Sequence, residues 1–124
     1  MKLPDALAAL DWVRVQESRS DRLLLEISGK KAWCASYPQG VCLAIDTGVE
    51  SGDIDWLHSM CLWFAAERNC ADDALLIEQE NLVLIRRYDA DLDGTLWEAS
   101  LQQQLMVVDW LIQNHSSTEL PARF

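Results

Sequence analysis

The sequence predicts an α+β domain, an antiparallel sheet packed with helices in the order α-β-β-β-α-β-β-α. Three observations carry that prediction. Short stretches alternate apolar and polar residues, longer stretches repeat apolar residues every three or four positions, and turn residues stand where the pattern changes. The 124 residues suffice for one domain with its own core. Residues 1–115 are expected to form it, followed by a flexible polar tail, SSTELPARF, over 116–124.

Pro4 suits the first turn of a helix, and Leu3, Leu7, Leu10 and Val13/Val15 follow at helical spacing. This first helix should end near Ser18–Asp21. Leu23, Leu25 and Ile27 alternate as in a strand, Ser28-Gly29-Lys30-Lys31 turns the chain, and Trp33, Ala35 and Tyr37 alternate again. Pro38-Gln39-Gly40 reads as a turn, with Val41, Leu43 and Ile45 completing a three-stranded meander.

Asp53 is a candidate N-cap for a helix over 54–68. Ile54, Leu57, Cys61 and Phe64 form one apolar stripe on it, while Trp56, Met60 and Trp63 form a second. A surface helix needs one such stripe. Two stripes ask for cover on both sides, so the sequence predicts a dimer through this second helix. Trp56, Met60 and Trp63 are the candidate interface, helped by Leu75 and Ile77 on the adjoining strand. Strands over Leu75–Gln79 and Leu82–Tyr88 are expected to join at Glu80-Asn81. The last helix runs to about Asn114, with Trp97, Leu101, Leu105, Val108 and Ile112 facing inward.

Asp89, Asp91, Asp93 and Gly94 match the opening of an EF-hand loop, D-x-D-x-D-G. Position 12 of such a loop needs a bidentate glutamate, and here it is Ser100. LVLIRRY before the loop reads as a strand, not an entering helix. Thr95 and Glu98 make a capping box, and aspartates ahead of it suit the positive end of a helix dipole. The motif is therefore read as a helix start, and no metal is assigned. Cys34, Cys42, Cys61 and Cys70 include no C-x-x-C pair, and His58 and His115 are not spaced with them as zinc ligands. Buried thiols in a reducing compartment are expected. No phosphate-binding glycine loop or nucleophile elbow is present. The expectation is a binding protein without catalytic residues or cofactor.

The formal net charge is −10. Residues 1–31 hold six basic and five acidic groups, whereas residues 32–124 hold four basic and fifteen acidic. Such a surface repels nucleic-acid backbones and anionic lipid, and it draws basic polypeptides. No apolar run is long enough for a membrane span, and the aspartate at position 5 of MKLPDALAALD argues against a targeting segment, so a cytoplasmic location is expected.

Element order, acidity and the two-striped helix resemble the class I chaperones of bacterial type III secretion. The stretch from Leu57 to Leu111, LHSMCLWFAAERNC through LQQQLMVVDWL, looks like that family's interface helix, two strands and long final helix. The first helix lacks the Leu-Gly pair often found near its end in the family. The resemblance implies a homodimer that binds a non-globular segment near the N-terminus of a secreted effector and keeps it secretion-competent. Leu7, Leu10, Val13, Leu23 and Leu25 are then candidates for the effector-binding groove. An acidic dimeric adaptor for a regulator or second chaperone-like subunit, or an immunity-type binding protein, would carry much the same pattern.

Overall fold

The computed structural model describes residues 2–50 and 53–115. Its elements are α1 (Asp5–Ala8), β1 (Val13–Ser18), β2 (Leu23–Ile27), β3 (Lys30–Tyr37), β4 (Gly40–Glu50), α2 (Ile54–Ala66), a 3₁₀ turn (Arg68–Cys70), β5 (Asp73–Glu78), β6 (Asn81–Asp89) and α3 (Gly94–Asn114). The fold is α+β, as the sequence predicts. All six strands pair antiparallel in the order β1-β2-β3-β4-β6-β5. The predicted tail, 116–124, lies outside the described residues.

The first helix is the main correction. It is a single turn, and the stretch read as its second half is strand β1. Val13 and Val15 fit both a helical and an alternating pattern. Both are β-branched, which favours the pleated backbone, and β2 offers them partners, Val13 opposite Ile27 and Val15 opposite Leu25. One helical turn cannot compete with a ladder of backbone hydrogen bonds.

The core lies between one face of the sheet and the helices. Leu23, Leu25 and Ile27 of β2, Cys34 of β3, Leu43 and Ile45 of β4, and Leu82 and Leu84 of β6 are buried there. From the helices come Leu7, Trp56, Met60, Phe64, Trp97, Leu101, Val107, Val108 and Leu111. On β3 the expected alternation holds, and the set Trp33, Ala35 and Tyr37 faces away from the core, while Ala32 and Cys34 are buried.

Asp53 caps α2 as expected, accepting from the Trp56 N–H at 3.0 Å. For α3 the cap is Asp93, which accepts from Leu96 N–H at 3.0 Å, and Thr95 lies inside the helix. The β5–β6 turn is Gln79–Glu80, one residue earlier than expected, with φ of 50° and 72°. Asn81 is already in β6 and pairs with Glu78.

One buried polar side chain stitches α3 to the sheet. Gln104 donates to the carbonyls of Leu43 (2.9 Å) and Leu84 (3.3 Å) and accepts from Tyr88 Oη at 2.7 Å. Tyr88 also stacks on Trp97, with ring centroids 4.3 Å apart. Burial raises the Tyr88 phenol well above its ordinary value.

Candidate functional site

Among the described residues the sheet ends in two unpaired edges, β1 and β5, and they are guarded differently. An exposed strand edge invites pairing with another chain unless charge, proline or a bulge discourages it. Strand β1 carries such devices: a register shift between Val15 and Glu17, and charges at Arg14 and Glu17. Strand β5, DALLIE, also carries two charges, but Asp73 is held by Arg86 and Glu78 by Trp33 and Arg22; it has neither lysine nor proline, and its register with β6 is unbroken from Asp73 to Glu78.

The orientation of the free backbone groups on β5 follows from its ladder. The Arg87 N–H donates to Asp72 O at 3.2 Å, which makes 72/87 a hydrogen-bonded pair. Such pairs alternate in an antiparallel ladder, so 74/85, 76/83 and 78/81 are bonded and 73, 75 and 77 turn their N–H and C=O outward. Leu75 and Ile77 thus offer both backbone groups to an incoming strand. The Ile77 side chain is 48% exposed.

Helix α2 packs on β5 from the helix side of the sheet. Its outer face is apolar, with Ile54 66% and Leu62 72% exposed and His58 and Cys61 also open to solvent. The acidic groups Asp72 and Glu80 are exposed at the two ends of β5. The edge thus presents the exposed Ile77 side chain between two acidic ends.

The residues expected at the dimer interface divide. Trp56 and Met60 are buried in the chain's own core, so the cover sought from a second chain is supplied by this one. Trp63 is half-buried and stacks on Trp110 of α3 at 5.1 Å. Leu75 is half-buried, and Ile77 alone of the five is exposed. The stripe taken for the inward face also divides, with Phe64 buried, Leu57 half-buried, and Ile54 and Cys61 in solvent. The buried face of α2 is therefore Trp56, Met60 and Phe64, drawn from both stripes. The Trp56 indole N–H is buried without a hydrogen-bond partner among the described residues.

The proposed groove residues are also closed. Leu7, Val13, Leu23 and Leu25 are buried together in the core and Leu10 is half-buried, so no open groove joins them. Val15 beside them remains 50% exposed on the guarded edge.

The three aspartates of the loop serve different partners. Asp89 ends β6 and accepts from Tyr37 Oη at 3.2 Å, Asp93 caps α3, and Asp91 is exposed in the turn. Among the described residues no cluster of His, Cys, Asp and Glu could hold a metal ion. Cys34 and Cys70 are buried, Cys42 is half-buried and Cys61 exposed, all as free thiols. Burial pushes the Cys34 thiol up to about 11, and burial together with Asp73 pushes Cys70 up to about 12. No described helix is long and apolar enough to cross a membrane.

No family model and no curated protein matches the chain.

Proposed function

We propose that this chain is a binding protein for an extended polypeptide segment and acts as a type III secretion chaperone for the N-terminal region of an effector. The observation that carries the reading is the unguarded β5 edge, where Leu75 and Ile77 turn their backbone groups outward beside the apolar face of α2. Strand addition satisfies those groups without demanding one sequence, and apolar side chains of the segment gain affinity by covering Ile77. Ordering a non-globular segment costs conformational entropy, so several apolar anchors must act together. The surplus of acid over base favours a basic or neutral client over an acidic one.

In this reading a second copy packs on the exposed face of α2 through Ile54, His58 and Leu62, which succeed Trp56, Met60 and Trp63 as the interface. Light scattering then gives twice the mass of one chain.

The binding reading is tested in the native bacterial cell by placing a photo-crosslinking residue at Ile77 and, separately, at Val15. Position 77 is expected to capture the N-terminal region of an exported protein. Capture of that protein only from position 15, or of a cytoplasmic regulator alone from position 77, would refute the effector-chaperone assignment.

A further inference from the structure

The face of the sheet turned away from the helices curls around a groove of about 680 Å³. Its walls carry Arg19, Arg22 and Lys31 against Glu26, Asp46 and Glu78, and Trp33 contributes an aromatic surface. Trp33 is on β3 and Glu78 on β5, with β4 and β6 between them in the sheet. Three strand spacings amount to roughly 14 Å in a flat sheet. Yet Trp33 Nε1 donates to Glu78 Oε1 at 2.6 Å, so the two side chains bridge the hollow of a coiled sheet.

Arg22 completes the cluster. Its Cζ lies 4.1 Å from the centroid of the Trp33 ring. Its Nη1 donates to Glu78 Oε2 at 3.3 Å, while the other oxygen of the same carboxylate holds the indole. An aromatic face with a carboxylate at its rim suits a guanidinium, which stacks flat and keeps its N–H fork for the anion. A lysine ammonium, a compact and strongly hydrated point charge, cannot do both as well.

Arg22 adjoins the exposed turn Ser20–Asp21 between β1 and β2, so its displacement disturbs no strand.

We propose that Trp33 and Glu78 form a recognition site for an arginine side chain of a partner polypeptide, and that Arg22 is a resident mimic which the incoming arginine displaces. This goes beyond the strand-edge reading, because a single arginine derivative enters the groove without any strand pairing. With Arg22 swung out, three carboxylates of the groove face only Arg19 and Lys31, and Arg19 is already paired with Glu17 at 3.3 Å. The vacated position is therefore favourable for a cation.

The test is a titration of the whole protein with N-acetyl-arginine amide, followed at the Trp33 indole N–H resonance and assigned with Trp33→Phe. Arg22→Ala is expected to bind about tenfold more tightly than wild type, because deleting a resident competitor raises apparent affinity by the reciprocal of the fraction of time the site stands free, here about one-tenth. N-acetyl-lysine amide should bind more weakly than the arginine derivative, and adding Glu78→Gln should abolish the gain. Equal affinity for wild type and Arg22→Ala, or binding that leaves the Trp33 resonance unmoved, would overturn the proposal. If Arg22→Ala fails to fold, Arg22→Gln makes the same comparison while keeping most of the side chain. Failure here leaves crosslinking at Ile77 unaffected, so the two readings fall separately.

Discussion

Arg86 closes on both carboxylate oxygens of Asp73, at 2.5 and 2.7 Å, with both side chains buried. The pair joins the middle of β6 to the first residue of β5. Arg86 also donates to the carbonyls of Ser100 in α3 and Asn69 in the 3₁₀ turn. One guanidinium thus fixes the start of β5 against three other elements. Removing one partner of a buried pair strands the other charge, at a cost of about 3–5 kcal/mol. Asp73→Ala is expected to lose that much in urea denaturation. A loss below about 1 kcal/mol, typical of exposed ion pairs, would mean the pair is solvated.

At the other end of β5, the hairpin tip holds strain that substitution should relieve. Glu80 sits at φ 72°, where glycine carries no Cβ penalty. Glu80→Gly should raise stability by about 0.5–1 kcal/mol, reading the gain as release of left-handed strain. A thermal melt checks this, and a lower midpoint would show that the glutamate side chain contributes more than its backbone costs.

Gly40 opens β4 where the backbone of Tyr88 and Ala90 crosses closely. A Cβ there would collide with the Tyr88 carbonyl oxygen. Gly40→Ala should therefore destabilise by about 1–3 kcal/mol, as overpacking commonly does. Unchanged stability would contradict this close approach.

The buried thiols make stability fall at alkaline pH. A thiol near 9 when unfolded and raised to about 11 (Cys34) or about 12 (Cys70) in the fold favours the folded state while it stays protonated. That contribution is complete below about pH 9 and is lost as pH rises through the folded values. Urea midpoints measured from pH 8 upward should decline, less steeply in Cys34→Ala than in wild type. Parallel declines would place the Cys34 thiol in water.

Much of the fold was legible because its signals were redundant. Val41, Leu43 and Ile45 alternate after a proline–glycine turn, and Asp53 precedes an apolar helix, so local chemistry and pattern agree. Val13 and Val15 were ambiguous because one spacing served two periods, and pairing with β2 decided the matter. The site was harder to read. Two apolar stripes on α2 showed that one needed cover, but the face the sheet takes draws on both and depended on tertiary packing. Glu78, Trp33 and Arg22 are far apart in the chain, and only the coiling of the sheet brings them together. Gln104 carries no sequence signal of burial, since a glutamine on a helix ordinarily faces water.

The central claim is that an extended segment pairs with β5. The direct measurement selects binders from a library of random short peptides and compares their affinity for wild type and Ile77→Pro. The proline removes an N–H that points away from β6, so the fold should persist while the free edge is blocked. The account predicts peptides of alternating apolar pattern that protect the Leu75 and Ile77 amides from hydrogen exchange and fail to bind the folded Ile77→Pro variant. Peptides that bind the variant as tightly as wild type, or that protect β1 instead, would contradict it.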